Sequence, residues 1–228
     1  MLIHAHFTKL RPGLPALQVL FETNLKKGHV HFLIGPPSSG KGTLLRILQG
    51  RERPDRGLLT ADGQIWFKGD ASGFMACQDR QVGAVLVDDV LSRRQTPRAV
   101  LSRALAHWPT RTRARRISGL LERAGLARHA RSEILELSAA QQWILAFVLA
   151  LAPRPRLVLL EAPWWFMPPG FEPELRAWVL EEGIPLLLSN DGLVPVTRQG
   201  DLAIRMMDGR VQDIHRLQPA NLAQERAG

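Results

Sequence analysis

Gly35-Pro36-Pro37-Ser38-Ser39-Gly40-Lys41 constrains this chain more than any other segment. It spells G-x-x-x-x-G-K between an apolar run, His29 to Ile34, and a stretch with helical spacing at Leu44, Leu45, Ile47 and Leu48 that Gly50 stops. Glycines let the backbone wrap around an anion, successive amides point inward, and the helix dipole favours negative charge. Lys41 would then reach the terminal phosphates. The plain alternative is a Gly/Pro-rich strand-to-helix turn with no ligand. Such loops usually continue with Ser or Thr, whose hydroxyl helps hold Mg²⁺. Here the next residue is Gly42, and Thr43 lies about 100° further round the helix. That departure weakens metal binding more than phosphate binding.

Around this motif the chain alternates strands and helices. Leu2 to Phe7 and Leu17 to Phe21 are short strands separated by Arg11-Pro12-Gly13. Leu58 to Ala61 and Gln64 to Phe67 flank Asp62-Gly63, a strong hairpin signal. Val82 to Val87, Leu157 to Leu160 and Ile184 to Leu188 have the compact apolar character of buried strands. Ile117, Leu120, Leu121 and Ala124 mark a helix ending near Gly125, and Ser138 opens a long apolar helix to Leu151. Asp208-Gly209 marks a last hairpin before a polar tail from about residue 216. The pattern implies an α/β fold: a mixed sheet with an N-terminal antiparallel part.

Composition narrows the class. The longest apolar run, Trp143 to Pro153, is too short to span a bilayer. No N-terminal leader pattern is present. The single cysteine, Cys77, excludes an internal disulfide and a multi-cysteine metal site. These features predict a cytoplasmic protein. Thirty Lys+Arg against 21 Asp+Glu give a net charge of +9. Arg93 to Arg131 holds eleven arginines and one acid, Glu122. Such a segment suits an anionic membrane surface or an acidic partner, or else is a solvated helix face; nucleic-acid binding is not favoured.

Two further segments complete a recognisable order: Leu137-Ser138-Ala139-Ala140-Gln141-Gln142, and Leu157-Val158-Leu159-Leu160-Glu161-Ala162-Pro163. With Arg53-Pro54-Asp55-Arg56-Gly57 and Asp208-Gly209-Arg210-Val211, the chain from about Leu2 to Ile214 resembles the ATP-binding cassette of ABC transporters. The resemblance implies a P-loop NTPase of ABC type, a single cassette over 1–228 with a helical subdomain at about 88–152. ATP is the implied cofactor. It would be held by Gly35, Pro36, Pro37, Ser38, Ser39, Gly40, Lys41, Gly42 and Thr43. In the family two cassettes dimerise head to tail, so Ser138, Ala139, Ala140 and Gln141 would grip the nucleotide of a second cassette, the same chain or another. Ser138 is equally a plain helix N-cap. An integral membrane transporter subunit is the other implied partner, with the chain peripheral on the inner face of the cell membrane.

Several family positions differ. Signature glycines are Ala139 and Ala140. The strand-end Asp-Glu-Pro becomes Glu161-Ala162-Pro163, leaving Glu161 as the candidate catalytic residue and, with Thr43, a candidate metal ligand; Mg²⁺ is thereby put in question. The switch histidine becomes Asn190, and Val87 stands where glutamine is expected. Phe7 is the candidate for stacking on adenine. Trp164-Trp165-Phe166-Met167 replaces a small, acidic loop, as a partner-facing patch or a core plug. Removing a positioned general base typically costs 10²–10⁴ in rate. The leading expectation is therefore a degenerate ABC transporter ATP-binding subunit that couples to a membrane partner with little hydrolysis. The alternatives are a divergent but active ABC ATPase and a non-catalytic scaffold with a basic binding face.

Overall fold

A computed structural model describes residues 1–69, 73–86, 94–161, 167–191 and 198–218. Val87, Ala162, Pro163, Trp164, Trp165, Phe166, Arg93 and most of the polar tail lie outside the described residues. In chain order the strands are β1 (Leu2–Arg11), β2 (Leu14–Asn24), β3 (Val30–Ile34), β4 (Arg56–Ala61), β5 (Gln64–Lys68), β6 (Gly73–Phe74), β7 (Val82–Val85), β8 (Leu157–Glu161), β9 (Leu186–Asn190), β10 (Leu202–Met207) and β11 (Arg210–Arg216). The α-helices are α1 (Lys41–Gln49), α2 (Cys77–Arg80), α3 (Pro97–Ala104), α4 (Thr110–Arg123), α5 (Ala139–Leu151) and α6 (Glu172–Glu182).

Among the described residues all the strands join one mixed sheet in the order β6-β5-β4-β1-β2-β11-β10-β3-β9-β8-β7. From β10 to β7 every pairing is parallel, and β6-β5-β4-β1-β2 are antiparallel. A single parallel bridge, Arg210 to Gln18, joins the halves. The first hairpin is longer than expected: β1 and β2 run from Leu2 to Asn24 and turn at Pro12-Gly13. Exposed residues alternate with buried ones there, which blurs an apolar-run signal.

Two cores lie on opposite faces of the parallel strands. Val30, Phe32 and Ile34 of β3 face one core with Val158, Leu160, Leu186 and Leu188; helices α3 to α6 cover it. Leu33 faces the other, with Leu157, Leu159 and Leu187, where α1 is wrapped by the antiparallel half. Burial on both faces explains why these strands read as unbroken apolar runs. In α1, Leu44, Leu45, Ile47 and Leu48 are all 0% exposed, each worth about 1.5–3 kcal/mol of burial. Arg80 anchors the far end of α1. Its fully buried guanidinium donates to the carbonyls of Ile47, Leu48, Trp66 and Met75, between the rings of Trp66 and Phe74.

Helix α6 is absent from the sequence reading. Its low amphipathicity hid it, although Pro173 near the start, glutamates in the first turn and Gly183 at the end are helix punctuation. Its Trp178 is buried against α4 and α5. Among the described residues no helix is long and apolar enough to cross a membrane.

Candidate functional site: a phosphate loop at the carboxyl ends of the parallel strands

Register brings the site together. Ile34 pairs with Asn190 and Glu161 with Ser189, so β3, β9 and β8 end side by side. Ligands in open α/β sheets bind at such carboxyl ends. The Gly35 to Gly40 loop leaves β3 there and enters α1 at Lys41.

Its glycines have steric reasons. A Cβ on Gly35 would strike the Met206 carbonyl and lie 2.8 Å from Ser39 Oγ. Gly40 caps the helix in left-handed backbone, φ 107°, with Leu17 and Arg11 packed behind it. The Gly209 amide donates to the Ser39 carbonyl at 3.0 Å, and the Gly35 amide to the Asn190 carbonyl at 3.3 Å. The first amides of α1 have no acceptor within the helix, and no acid sits in its first turn. The positive helix end is therefore directed at the loop, as anion binding requires.

Lys41 is folded back into the loop. Its Nζ donates to the carbonyls of Gly35 at 2.6 Å and Pro36 at 2.9 Å, and pairs with Asp191 Oδ1 at 3.0 Å. The lysine side chain is only 8% exposed, whereas Asp191 is 46% exposed. Asp191 thus neutralises the lysine from the solvent side of the loop. Arg11, which the sequence reading did not single out, is a second cation on this loop: its Nη1 donates to the Ser38 carbonyl at 3.0 Å and its Nε to Pro15 at 2.8 Å. Its position at the end of β1, opposite the loop, follows only from the sheet.

Glu161, at the end of β8, reaches across to α1. A Cβ on Gly42 would collide with its Oε1 and lie 3.2 Å from its Cδ. Its Oε2 is buried and has no hydrogen-bond partner among the described residues. Thr43 is buried, and its Oγ1 accepts from Arg46 Nη2 at 3.4 Å. Asn190, the last residue of β9, is buried beside the start of the loop. Phe7 is not an adenine platform: it is 2% exposed, packed in the core around α1.

Ser138 opens α5 on the surface with Ala139 and Ala140. Its hydroxyl accepts the Gln141 amide at 3.2 Å while the Gln141 side chain accepts the Ser138 amide at 2.9 Å, a capping box. The hydroxyl proton is left to donate elsewhere. Part of the arginine-rich segment is structural. Arg116 pairs with Glu182 at 2.6 Å, and Arg123 pairs with Glu181 while stacking 4.2 Å above the Trp178 ring. These contacts tie α4 to α6. Arg111, Arg115, Arg128 and Arg131 are exposed.

Comparison with known proteins agrees with this geometry. The family described as ABC transporter matches residues 21–164. A Fe(3+) ions import ATP-binding protein of Pseudomonas fluorescens is 33% identical over 87% of this chain and 56% of its own length. The Probable sulfate/thiosulfate import ATP-binding protein of Chlorella vulgaris is 31% identical over 73% of this chain and 70% of its own. A sulfate/thiosulfate import ATP-binding protein of Agrobacterium fabrum is 31% identical over 76% of this chain and 50% of its own. The chain thus spans about half the length of two of these relatives. Among solved structures, an ATP-binding subunit of an ABC transporter superposes with a TM-score of 0.78 at 21% identity, covering 95% of this chain and 90% of that one. An ATP-binding cassette dimer bound to ADP and Pi gives 0.74 at 23% identity, covering 96% and 99%. The fold is that of these cassettes, and with the family match spanning the phosphate loop, α5 and β8, the chain belongs to the ABC transporter family.

Proposed function

We propose that this chain is the ATP-binding subunit of an ABC import complex, binding ATP in the Gly35–Thr43 loop and hydrolysing it poorly. The observation that carries the reading is the loop itself: a helix N-terminus with open amides, and a nearly buried Lys41 whose present partners are two carbonyls and an exposed carboxylate. ATP phosphates would displace Asp191 and take the lysine. The named import functions of the relatives support a place in an importer. Ser138, exposed on a helix start, would donate its proton to nucleotide held by a second cassette. The exposed arginines would face anionic lipid or an acidic segment of an integral membrane partner, which fits a peripheral position at the inner membrane face. The whole of 1–228 would act as one cassette, with 88–152 as its helical subdomain.

Poor hydrolysis is supported by the side chains available. Asn190 can donate a hydrogen bond but cannot carry a proton as imidazole does, and Ala162 has no proton-accepting group. A divalent cation bound with the nucleotide would neutralise phosphate charge, and Glu161 is the residue assigned to hold it. Its unpartnered carboxylate oxygen suits such an ion. The same oxygen favours a second reading, an active ATPase with Glu161 as base.

Calorimetric titration with ATP, with and without Mg²⁺, on wild type and Lys41→Ala tests the proposal. Binding lost in Lys41→Ala, with turnover at background, is the expected result. Lys41-dependent turnover well above background would favour the second reading. Folded protein that binds no nucleotide would refute both.

A further inference from the structure

Two departures from the family pattern touch each other. Position 42 is Gly where the family pattern has Ser or Thr, and position 161 is Glu where it has Asp, one methylene shorter. In the fold the longer carboxylate fills the space that a side chain at 42 would need: a Cβ on Gly42 would overlap Glu161 Oε1. Arg46 closes the other side of this spot, its Nη1 3.4 Å from where that Cβ would stand and its Nε tied to Glu52 at 3.1 Å. Glu161 Oε2 is buried and has no partner among the described residues, which is unfavourable for a carboxylate unless a cation or a donor completes it. Thr43, the other candidate ligand, has its hydroxyl oxygen engaged by Arg46.

We propose that Gly42 and Glu161 are one reciprocal exchange: the Glu161 carboxylate occupies the place of the missing hydroxyl and directly ligates the divalent cation that accompanies nucleotide. The inference rests on the nucleotide-binding reading above. Mg²⁺ is commonly held by one or two carboxylates plus substrate phosphates rather than by an all-protein cage. Among the described residues no group of three or more His, Cys, Asp or Glu side chains could hold a metal alone, so the cation would depend on the nucleotide. Glycine at 42 is then a requirement of the carboxylate, not a loss in isolation.

The test measures ADP affinity in EDTA and in Mn²⁺, with melting temperatures, for wild type, Glu161→Gln, Gly42→Ser and the double variant Gly42→Ser/Glu161→Asp. Wild type should gain affinity from Mn²⁺, and Glu161→Gln should lose that gain by about tenfold or more, the scale seen when a metal loses a supporting group. Gly42→Ser alone should melt lower and lose the gain; the double variant should recover both. Should Glu161→Gln fail to fold, the comparison of the single and double serine variants decides. A wild type with no Mn²⁺ gain, a Glu161→Gln with the full gain, or a Gly42→Ser as stable as wild type would each overturn the exchange. ADP binding in EDTA alongside any of these leaves the nucleotide reading standing, whereas no binding in either buffer removes both.

Discussion

His31 makes the stability of this fold sensitive to mild acid. It lies on β3, between β10 and β9 in the sheet, 0% exposed. Its Nε2 faces the Lys26 carbonyl at 3.2 Å, and its Nδ1 accepts the Leu202 amide at 3.2 Å. Those partners specify the neutral Nε2–H tautomer. Burial pushes its pKa down from 6.5 to about 4, against the opposing pull of the Lys26 carbonyl and of Asp201. His29 and the N-terminal ammonium add a little to the lowering. The unfolded chain therefore binds a proton below pH 6.5 that the native protein refuses until about pH 4. Stability is fully present above 6.5, falls as pH drops through this window, and levels off below it. At 1.36 kcal/mol per pH unit, the loss by pH 4.5 is about 3 kcal/mol. Urea unfolding from pH 7.5 to 4.5 would measure it in wild type and in His31→Gln, which keeps a donor and an acceptor but cannot titrate. Titrating groups that do not act on His31 contribute alike to both proteins, so the difference in slope reports His31 and its interaction with Asp201 and His29. Equal slopes would refute the reasoning.

Asp191→Asn should tighten nucleotide binding two- to fivefold or so, because a half-exposed ion pair to Lys41 is worth at most about 1 kcal/mol; calorimetry would show weaker or unchanged binding if Asp191 instead assists the phosphates. Arg80→Met should cost about 2–4 kcal/mol by chemical denaturation, since the Leu48 and Met75 carbonyls lose their guanidinium in a buried setting. Burial has already pushed that guanidinium down to about 10, and the protein tolerates this because four carbonyls surround it. Ser138→Ala should cost about 1 kcal/mol of stability through the lost cap, read from the melting midpoint. The cap would also be the only effect if Ser138 plays no part at a second cassette's nucleotide, so nucleotide-dependent dimerisation measured by light scattering separates the roles.

Local chemistry made much of this protein legible in its sequence. The loop between β3 and α1, the stop at Gly50, the Asp62-Gly63 turn and the Ser138 cap each depend on backbone sterics or on neighbours within one turn, and each appears where those residues put it. The apolar runs of β7, β8 and β9 betrayed burial on both faces of a parallel sheet. Other features depended on residues distant in sequence. Phe7 reads as an available aromatic until the sheet curls over α1 and buries it. Arg116 and Arg123 read as a solvated basic face until α6, itself weakly patterned, supplies their glutamates. Gly42 and Glu161 read as two separate departures from the family pattern, because only the tertiary packing sets the end of β8 against the first turn of α1 and puts the Glu161 carboxylate where a side chain at 42 would stand.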